Sequence, residues 1–156
     1  MTSEPSDTPD AGGSSSGVSV PGDERPGADR SGGPWRVAVA EESMAPALRD
    51  GDWLLVDPTT RRWPRRGSVV VFREPESDVL AIKRVAAVPG DSVRISAGIL
   101  HLGPRQAWLL GDNVAASIDS RRYGPVELDA LMGRAWFRYA PWRRIGPIRR
   151  PGGGQP

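Results

Sequence analysis

The sequence contains a single lysine, Lys83, against 20 arginines. Arginine stays protonated in proteins, whereas an amine surrounded by apolar groups can lose its proton and act as a general base. Lys83 lies in the apolar segment 79–88, where strand alternation puts it on one face with Ala81 and Val85. The pattern indicates either a lysine base or a lysine at a strand edge, whose stem covers apolar surface while its amine reaches water.

A serine that such a base could activate is Ser43, in the segment Glu-Glu-Ser-Met-Ala-Pro-Ala-Leu-Arg-Asp-Gly-Asp of residues 41–52. It falls in a predicted loop between two strands, where reactive groups are usually presented. Met44 can pack inward, and Pro46 fixes the backbone just after Ser43. The local sequence also allows Ser43 to be the N-cap of a helical turn that begins at Met44. Of the two roles, the local sequence favours this structural one.

A third polar segment, residues 111–121, follows an apolar strand. Asp112 suits a tight turn at its start. Asp119 and Arg121 are spaced to form an ion pair, and the hydroxyl of Ser117 could orient a neighbouring group. Taken alone, this segment is typical of an ordinary loop.

The composition excludes several kinds of site. The chain has no cysteine, so a disulfide framework, a thiolate nucleophile and a cysteine-ligated zinc are excluded. His101 is the only histidine, so sites with several histidine ligands are excluded as well. We expect no metal and no cofactor, and we expect His101 to be structural or at the surface.

The two ends of the chain differ from its middle. Residues 1–34 lack Leu, Ile, Phe, Tyr and Trp, and 19 of them are Gly, Ser or Pro. Such a segment buries too little apolar surface to fold, so a disordered N-terminal tail is predicted.

The N-terminal segment lacks the pattern of a secretory signal, and no later segment is apolar enough to span a membrane. We therefore expect a cytoplasmic protein without a transmembrane anchor, with peripheral membrane contact as the alternative, and a flexible C-terminal tail at 146–156.

Residues 35–145 are predicted to form one domain that contains all six tryptophans. Short segments rich in Val, Ile, Leu and Trp, separated by Gly and Pro, indicate an all-β fold, a small antiparallel barrel or sandwich. Two helical turns are predicted, at 44–48 and 128–132. The predicted strands are 35–40, 52–57, 68–73, 79–88, 92–96, 99–102, 107–110 and 134–139.

Taken in order, these segments resemble the signal peptidase family of Ser-Lys proteases. The resemblance rests on four motifs, each weak alone but specific when all four occur in the same order. In the second motif, Ser68 stands where the family pattern has Asp. The matching residues are Ser43-Met44-Ala45-Pro46 with Gly51-Asp52; Gly67-Ser68 before an apolar strand; Lys83-Arg84-Val85 with Pro89-Gly90-Asp91; and Gly111-Asp112-Asn113, Ser117, Asp119-Ser120-Arg121 and Gly124.

The resemblance implies a role for each matching residue and the fold of the signal peptidase catalytic core. Ser43 would be the nucleophile, with its backbone N–H binding the oxyanion, and Lys83 would be the general base. Ser117 would hydrogen-bond the Lys83 amine and orient it. The remaining implied site residues are Asp112, Asp119 and Arg121 as supports, and Met44 and Pro46 as substrate contacts.

Departures from the family narrow the expectation. Glu41 stands where many relatives carry a hydroxyl or glycine that can add to the oxyanion hole, and Ala47 replaces a common threonine. The interval 91–108 is too short for the inserted domain of many signal peptidases. A compact chain without an anchor, with the segment Asn-Val-Ala-Ala-Ser-Ile-Asp-Ser-Arg at residues 113–121, resembles the maturation proteases of nickel-type superoxide dismutase. We expect a serine endopeptidase whose partner is a precursor protein with a cleavable N-terminal leader.

Three other functions stay open. The chain could be a general signal peptidase, or a LexA-type self-cleaving domain, which shares the Ser-Met start and a lysine at similar spacing. The motif around Asp119 and the lack of a helical DNA-binding domain before Trp35 argue against the LexA type. A non-enzymatic binding module is the third possibility, because residues 134–150 carry six arginines, several aromatics and no carboxylate. We favour a solvated basic surface there and expect no nucleic-acid partner.

Overall fold

The computed structural model describes residues 34–77 and 79–149, so the predicted N-terminal tail lies outside the described residues except for Pro34. Ten strands and one short helix make up the regular structure, with three single 3-10 turns between them. The elements are β1 (Trp35–Ala38), β2 (Trp53–Asp57), β3 (Val69–Arg73), β4 (Leu80–Ala87), β5 (Ser92–Ile95), β6 (Gly98–His101), β7 (Gln106–Leu110), α1 (Ser120–Tyr123), β8 (Val126–Glu127), β9 (Leu131–Ala140) and β10 (Gly146–Pro147).

Eight of the strands form one antiparallel sheet in the order β1-β2-β9-β3-β4-β7-β8, with β10 added to β9. The long strand β9 therefore lies between β2 and β3, so a strand from the C-terminal half of the chain pairs with two strands from the N-terminal half. A separate hairpin of β5 and β6 fills the short interval before β7. The predicted all-β, antiparallel fold is confirmed.

Apolar side chains cover both faces of the central strands. In β3, Val69 and Val71 point into a first core cluster, and Val70 and Phe72 point into a second one on the opposite face. Register shifts in the pairings of β9 with β2 and β3, and of β4 with β7, increase the local twist and help the sheet to curl around both clusters. In the middle of β4, residues 81–85 are consequently buried on both faces.

All eight predicted strands are present, with ends that differ by up to three residues. The segment 44–48 forms turns rather than a helix, with one helix-type hydrogen bond from Leu48 N to Met44 O. The segment 128–132 makes a 3-10 turn over Leu128–Ala130, and then β9 begins. The strands β8 and β10 are two residues long, too short to show a period in the sequence. β10 falls within the predicted C-terminal tail.

Gly133 is predicted to be required for the close approach of β2 to β9. A Cβ atom at this position would lie 2.6 Å from the Asp57 carbonyl oxygen and 2.6 Å from Val56 Cγ1. We expect Gly133→Ala to lower the free energy of unfolding by about 1–3 kcal/mol, measured by urea denaturation. Gly103→Ala is the control, because its Cβ would meet only the movable Gln106 side chain, at 3.3 Å. Equal stability of the two variants would contradict this account.

Candidate active site

Lys83 lies in the middle of β4, between β3 and β7, and its side chain is fully buried. Its strand neighbours on the same face, Ala81 and Val85, belong to the second core cluster. The alternation expected from the sequence is therefore present, and the strand-edge alternative does not apply. The Lys83 amine is therefore shielded from water, so its hydrogen bonds must come from within the protein.

Ser43 lies in the turn between β1 and β2, and only 1% of it is exposed. Lys83 Nζ donates a hydrogen bond to Ser43 Oγ at 2.9 Å, across 40 residues of sequence. The structure thus brings together the nucleophile and the base predicted from the sequence. A serine hydroxyl and an amine at this distance can exchange a proton directly.

Glu41 is a third member of this site, and its contact with Lys83 was not predicted. Its Oε1 accepts a hydrogen bond from Lys83 Nζ at 3.2 Å, while its Oε2 is buried without a partner among the described residues. A signal for this arrangement exists in the sequence. Val37 and Val39 are buried at every second position, and the same alternation carries Glu41 and Ser43 inward.

The loop after β7 holds the Ser43 turn in place. Asn113 N donates to the Ser43 carbonyl oxygen at 2.8 Å. A Cβ atom at Gly111 would lie 2.7 Å from that same oxygen and would overlap Ser117 Oγ. Gly111 therefore allows the two loops to approach within backbone contact.

Asp119 organises the same loop from a buried position with 1% exposure. It forms an ion pair with Arg121, and it also accepts hydrogen bonds from Gly111 N and Ser117 Oγ. Burial by itself would raise the pKa of Asp119, but these donors, Arg121 first among them, outweigh burial and lower that pKa to about 2. Asp119 is the N-cap of α1, as its sequence before Ser-Arg-Arg allows.

The role expected for Ser117 differs from the contact that the structure shows. Ser117 Oγ donates to Asp119 Oδ2 at 2.7 Å. Among the described residues, the hydrogen bonds of Lys83 Nζ are to Ser43 and Glu41, and none joins it to Ser117. Glu41 rather than Ser117 is therefore the second hydrogen-bond partner of the Lys83 amine among the described residues.

Asp112 supports the site through Arg84, the residue after the lysine. Arg84 Nε and Nη2 donate to the two carboxylate oxygens of Asp112, each at 2.8 Å, and Nη1 donates to the Gly67 carbonyl at 2.7 Å. This two-point ion pair ties β4 to the loop that contacts Ser43. The supporting position of Asp112 was expected, but its partner was not.

Asp52 holds the other side of the Ser43 segment and was missed as a site residue. It is buried and accepts from Arg49 N, from Arg144 Nη1 at 2.9 Å and from Arg138 Nη1 at 3.3 Å. Arg138 also donates to the Ala47 carbonyl oxygen at 3.0 Å. These contacts fasten the segment to β9, and the Gly-Asp pair of the first motif was the signal for them.

The two expected substrate contacts lie in different environments. Met44 is fully buried in the first core cluster, where it packs with residues of β1, β2 and β3. Its side chain therefore anchors the Ser43 turn and is not available to a substrate. Pro46 is exposed.

The described residues include no group of three or more His, Cys, Asp or Glu side chains that could hold a metal ion. His101 is exposed on the separate hairpin, with its Nδ1 2.7 Å from Ser92 Oγ. None of the described helices has the length and apolar character needed to cross a membrane.

The charge of Asp119 is predicted to stabilise the fold in a pH-dependent way. Its pKa is lower in the folded chain, so the stabilisation is present above its ordinary value near 3.8 and is lost as the pH falls toward about 2. We expect Asp119→Asn to reduce the free energy of unfolding by about 1–3 kcal/mol at neutral pH. The difference from the unsubstituted chain should shrink in acid, as urea denaturation at several pH values would show.

Asp129→Asn is the matched control for that experiment, because Asp129 pairs with Arg105 at the surface and its side chain is 86% exposed. Exposed ion pairs contribute little to stability, so this variant should differ little at any pH. A penalty for Asp119→Asn that does not change with pH would contradict the account.

The family model described as signal peptidase, peptidase S26, matches residues 35–105 and 101–142. Subunit 1 of the mitochondrial inner membrane protease of Xenopus tropicalis is 34% identical over 128 residues, which cover 76% of this chain and 77% of the relative. A probable signal peptidase I-2 of Synechocystis sp. is 30% identical over 140 residues, covering 69% and 64%. Signal peptidase I of Leptolyngbya laminosa is 29% identical over 146 residues, covering 72% of each chain.

The family match spans every element that carries the Ser43–Lys83 pair and its supports, from β1 to β9. It agrees with the resemblance carried by the four sequence motifs. The chain therefore belongs to the signal peptidase family, peptidase S26, and is a serine-type peptidase.

Proposed function

We propose that this chain is an endopeptidase that removes an N-terminal leader from a precursor protein, with Ser43 as nucleophile and Lys83 as general base. The observation that carries the proposal is the buried contact of 2.9 Å between Lys83 Nζ and Ser43 Oγ. Signal peptidases among the relatives support the class of substrate.

The reaction begins with Lys83 as a neutral amine. As Ser43 Oγ attacks the carbonyl carbon of the scissile peptide bond, Nζ takes the hydroxyl proton. When the tetrahedral intermediate collapses, the C–N bond breaks and Nζ returns the proton to the leaving amine. Water, deprotonated by the same amine, then hydrolyses the ester on Ser43 and restores the free serine.

The surrounding contacts give this pair a fixed geometry. The turn that carries Ser43 is held by Asn113 on one side and by the Asp52 ion pairs on the other. Lys83 is fixed because β4 pairs on both edges. In the proposal, Asp119 keeps the loop after β7 in shape, and the Ser43 N–H is a donor to the oxyanion, since a preorganised backbone N–H costs no reorganisation during reaction.

Cleavage is predicted to require both Ser43 and Lys83, and it is predicted to require a side chain at position 83 that can lose its proton. We expect Ser43→Ala, Lys83→Ala and Lys83→Arg each to lower kcat/KM for a leader-containing substrate at least about 10³-fold. The arginine variant should fail because it keeps the charge and cannot act as a base. Cleavage is followed by mass spectrometry, with circular dichroism to verify folding.

Ser92→Ala is the matched control, since Ser92 is an exposed hydroxyl on the separate hairpin. Its activity should equal that of the unsubstituted chain. Substantial activity of Lys83→Arg would remove Lys83 as the base, and retained activity of Ser43→Ala would remove the nucleophile.

We also propose a particular substrate, the precursor of a nickel-type superoxide dismutase. The similarity of segment 113–121 to the maturation proteases supports it, as does the interval before β7, which contains only the β5–β6 hairpin. A maturation protease that acts on a single precursor needs no inserted domain between β4 and β7.

The choice of substrate is tested by incubating the chain with two precursors, one of a nickel-type superoxide dismutase and one with a secretory signal. We expect cleavage of the dismutase precursor at one site near its N-terminus, identified by mass spectrometry, and no cleavage by Ser43→Ala. Cleavage of the secretory precursor alone would overturn the dismutase proposal and retain the broader leader peptidase.

A further inference from the structure

The carboxylate of Glu41 touches the base of the proposed dyad, and the mechanism above gives it no role. Glu41 Oε1 lies 3.2 Å from Lys83 Nζ, and only 8% of the Glu41 side chain is exposed. The Lys83 side chain is completely enclosed. The contact is therefore an ion pair shielded from water, where charges interact more strongly than at a surface.

An anion at this position favours one protonation state of the lysine. A carboxylate within about 4 Å of an amine favours the charged ammonium. The ammonium can hold Ser43 by donating a hydrogen bond, but it cannot take the serine proton. A negative charge beside the nucleophile also opposes the oxyanion that forms on attack.

The other groups around this pair do not replace Glu41. Asp119 is a charged carboxylate that pairs with Arg121 rather than with Lys83. The phenol of Tyr123, on α1, is buried without a partner among the described residues, and burial followed by nearby carboxylates raises its pKa, so it stays uncharged. The charged groups that act on Tyr123 are Glu74, Asp119, Glu41 and Glu76.

We propose that Glu41 is a positioning residue that holds Lys83 as the ammonium in the substrate-free protein and thereby restrains the dyad until the amine gives up its proton. This inference rests on the proposed function in one respect, that Lys83 is the base. The ion pair keeps Nζ directed at Ser43 while keeping it inactive. Removing the carboxylate should therefore make the amine available at lower pH.

The single lysine of the chain allows a direct test that does not depend on activity. Lysine labelled with ¹³C at Cε gives one side-chain signal in the full 156-residue chain. Its chemical shift is followed against pH in the unsubstituted chain, in Glu41→Gln and in Glu42→Gln. Glu42 is the matched control, because it is the adjacent carboxylate and is exposed.

We expect the titration midpoint of the signal in Glu41→Gln to move to lower pH by about one unit or more, and the midpoint in Glu42→Gln to stay in place. An unchanged midpoint in Glu41→Gln, or an equal shift in both variants, would overturn the inference. Glu41→Ser serves as a second variant if the glutamine variant does not fold by circular dichroism, and the same shift is expected from it.

The rate of cleavage provides the second measurement. The rising limb of kcat/KM against pH should move to lower pH in Glu41→Gln, so that activity one unit below the original midpoint increases severalfold. A loss of activity at every pH without a shift would mean that Glu41 assists the reaction, and it would overturn the inference. If no variant shows cleavage that depends on Ser43, the proposed function fails, while the titration still decides the role of Glu41.

Discussion

The site depends on one buried polar contact, the hydrogen bond between the Lys83 amine and the Ser43 hydroxyl. Enclosing an ammonium costs several kcal/mol unless it is paired, and here Ser43 and Glu41 accept two of its three possible hydrogen bonds. The same enclosure shields the contact from water, since Lys83 is fully buried and Ser43 is 1% exposed. The two core clusters on either side of β3 and β4 produce that environment.

The loops around the dyad are held in place so that Ser43 and Lys83 stay in contact. Four ion pairs fasten the two segments that meet at Ser43. Asp52 pairs with Arg138 of β9 and with Arg144, and so holds the Ser43 turn to β9. Asp112 holds the following loop to β4, and Asp119 holds that loop to itself. Each acid lies in a motif that resembles the family pattern. These three acids therefore fix the backbone, whereas among the described residues Glu41 is the carboxylate that contacts the Lys83 amine.

The sequence was sufficient for the strands, because strand alternation is a local signal. The pairing of Ser43 with Lys83 was implied by the resemblance of the four ordered motifs to the family, since the local sequence alone favoured a structural role for Ser43. The sequence could not decide the environment of Met44, because its side chain could face a substrate or the core until the packing of β1 and β2 is known. The partners of Ser117 and Arg84 also depend on how distant loops meet. The inward position of Glu41 was present in the alternation, but a carboxylate beside a lysine base contradicts the family pattern.

The most direct test of the dyad is to locate the adduct formed by a serine-reactive phosphonate on the full chain. Intact and tandem mass spectrometry would give both the modified residue and its rate of modification at several pH values. Modification of Ser43 alone, at a rate that rises with pH and is lost in Lys83→Arg, is the predicted result. Modification spread over several serines, or equal labelling of Ser43 in Lys83→Arg, would contradict a serine activated by a buried lysine.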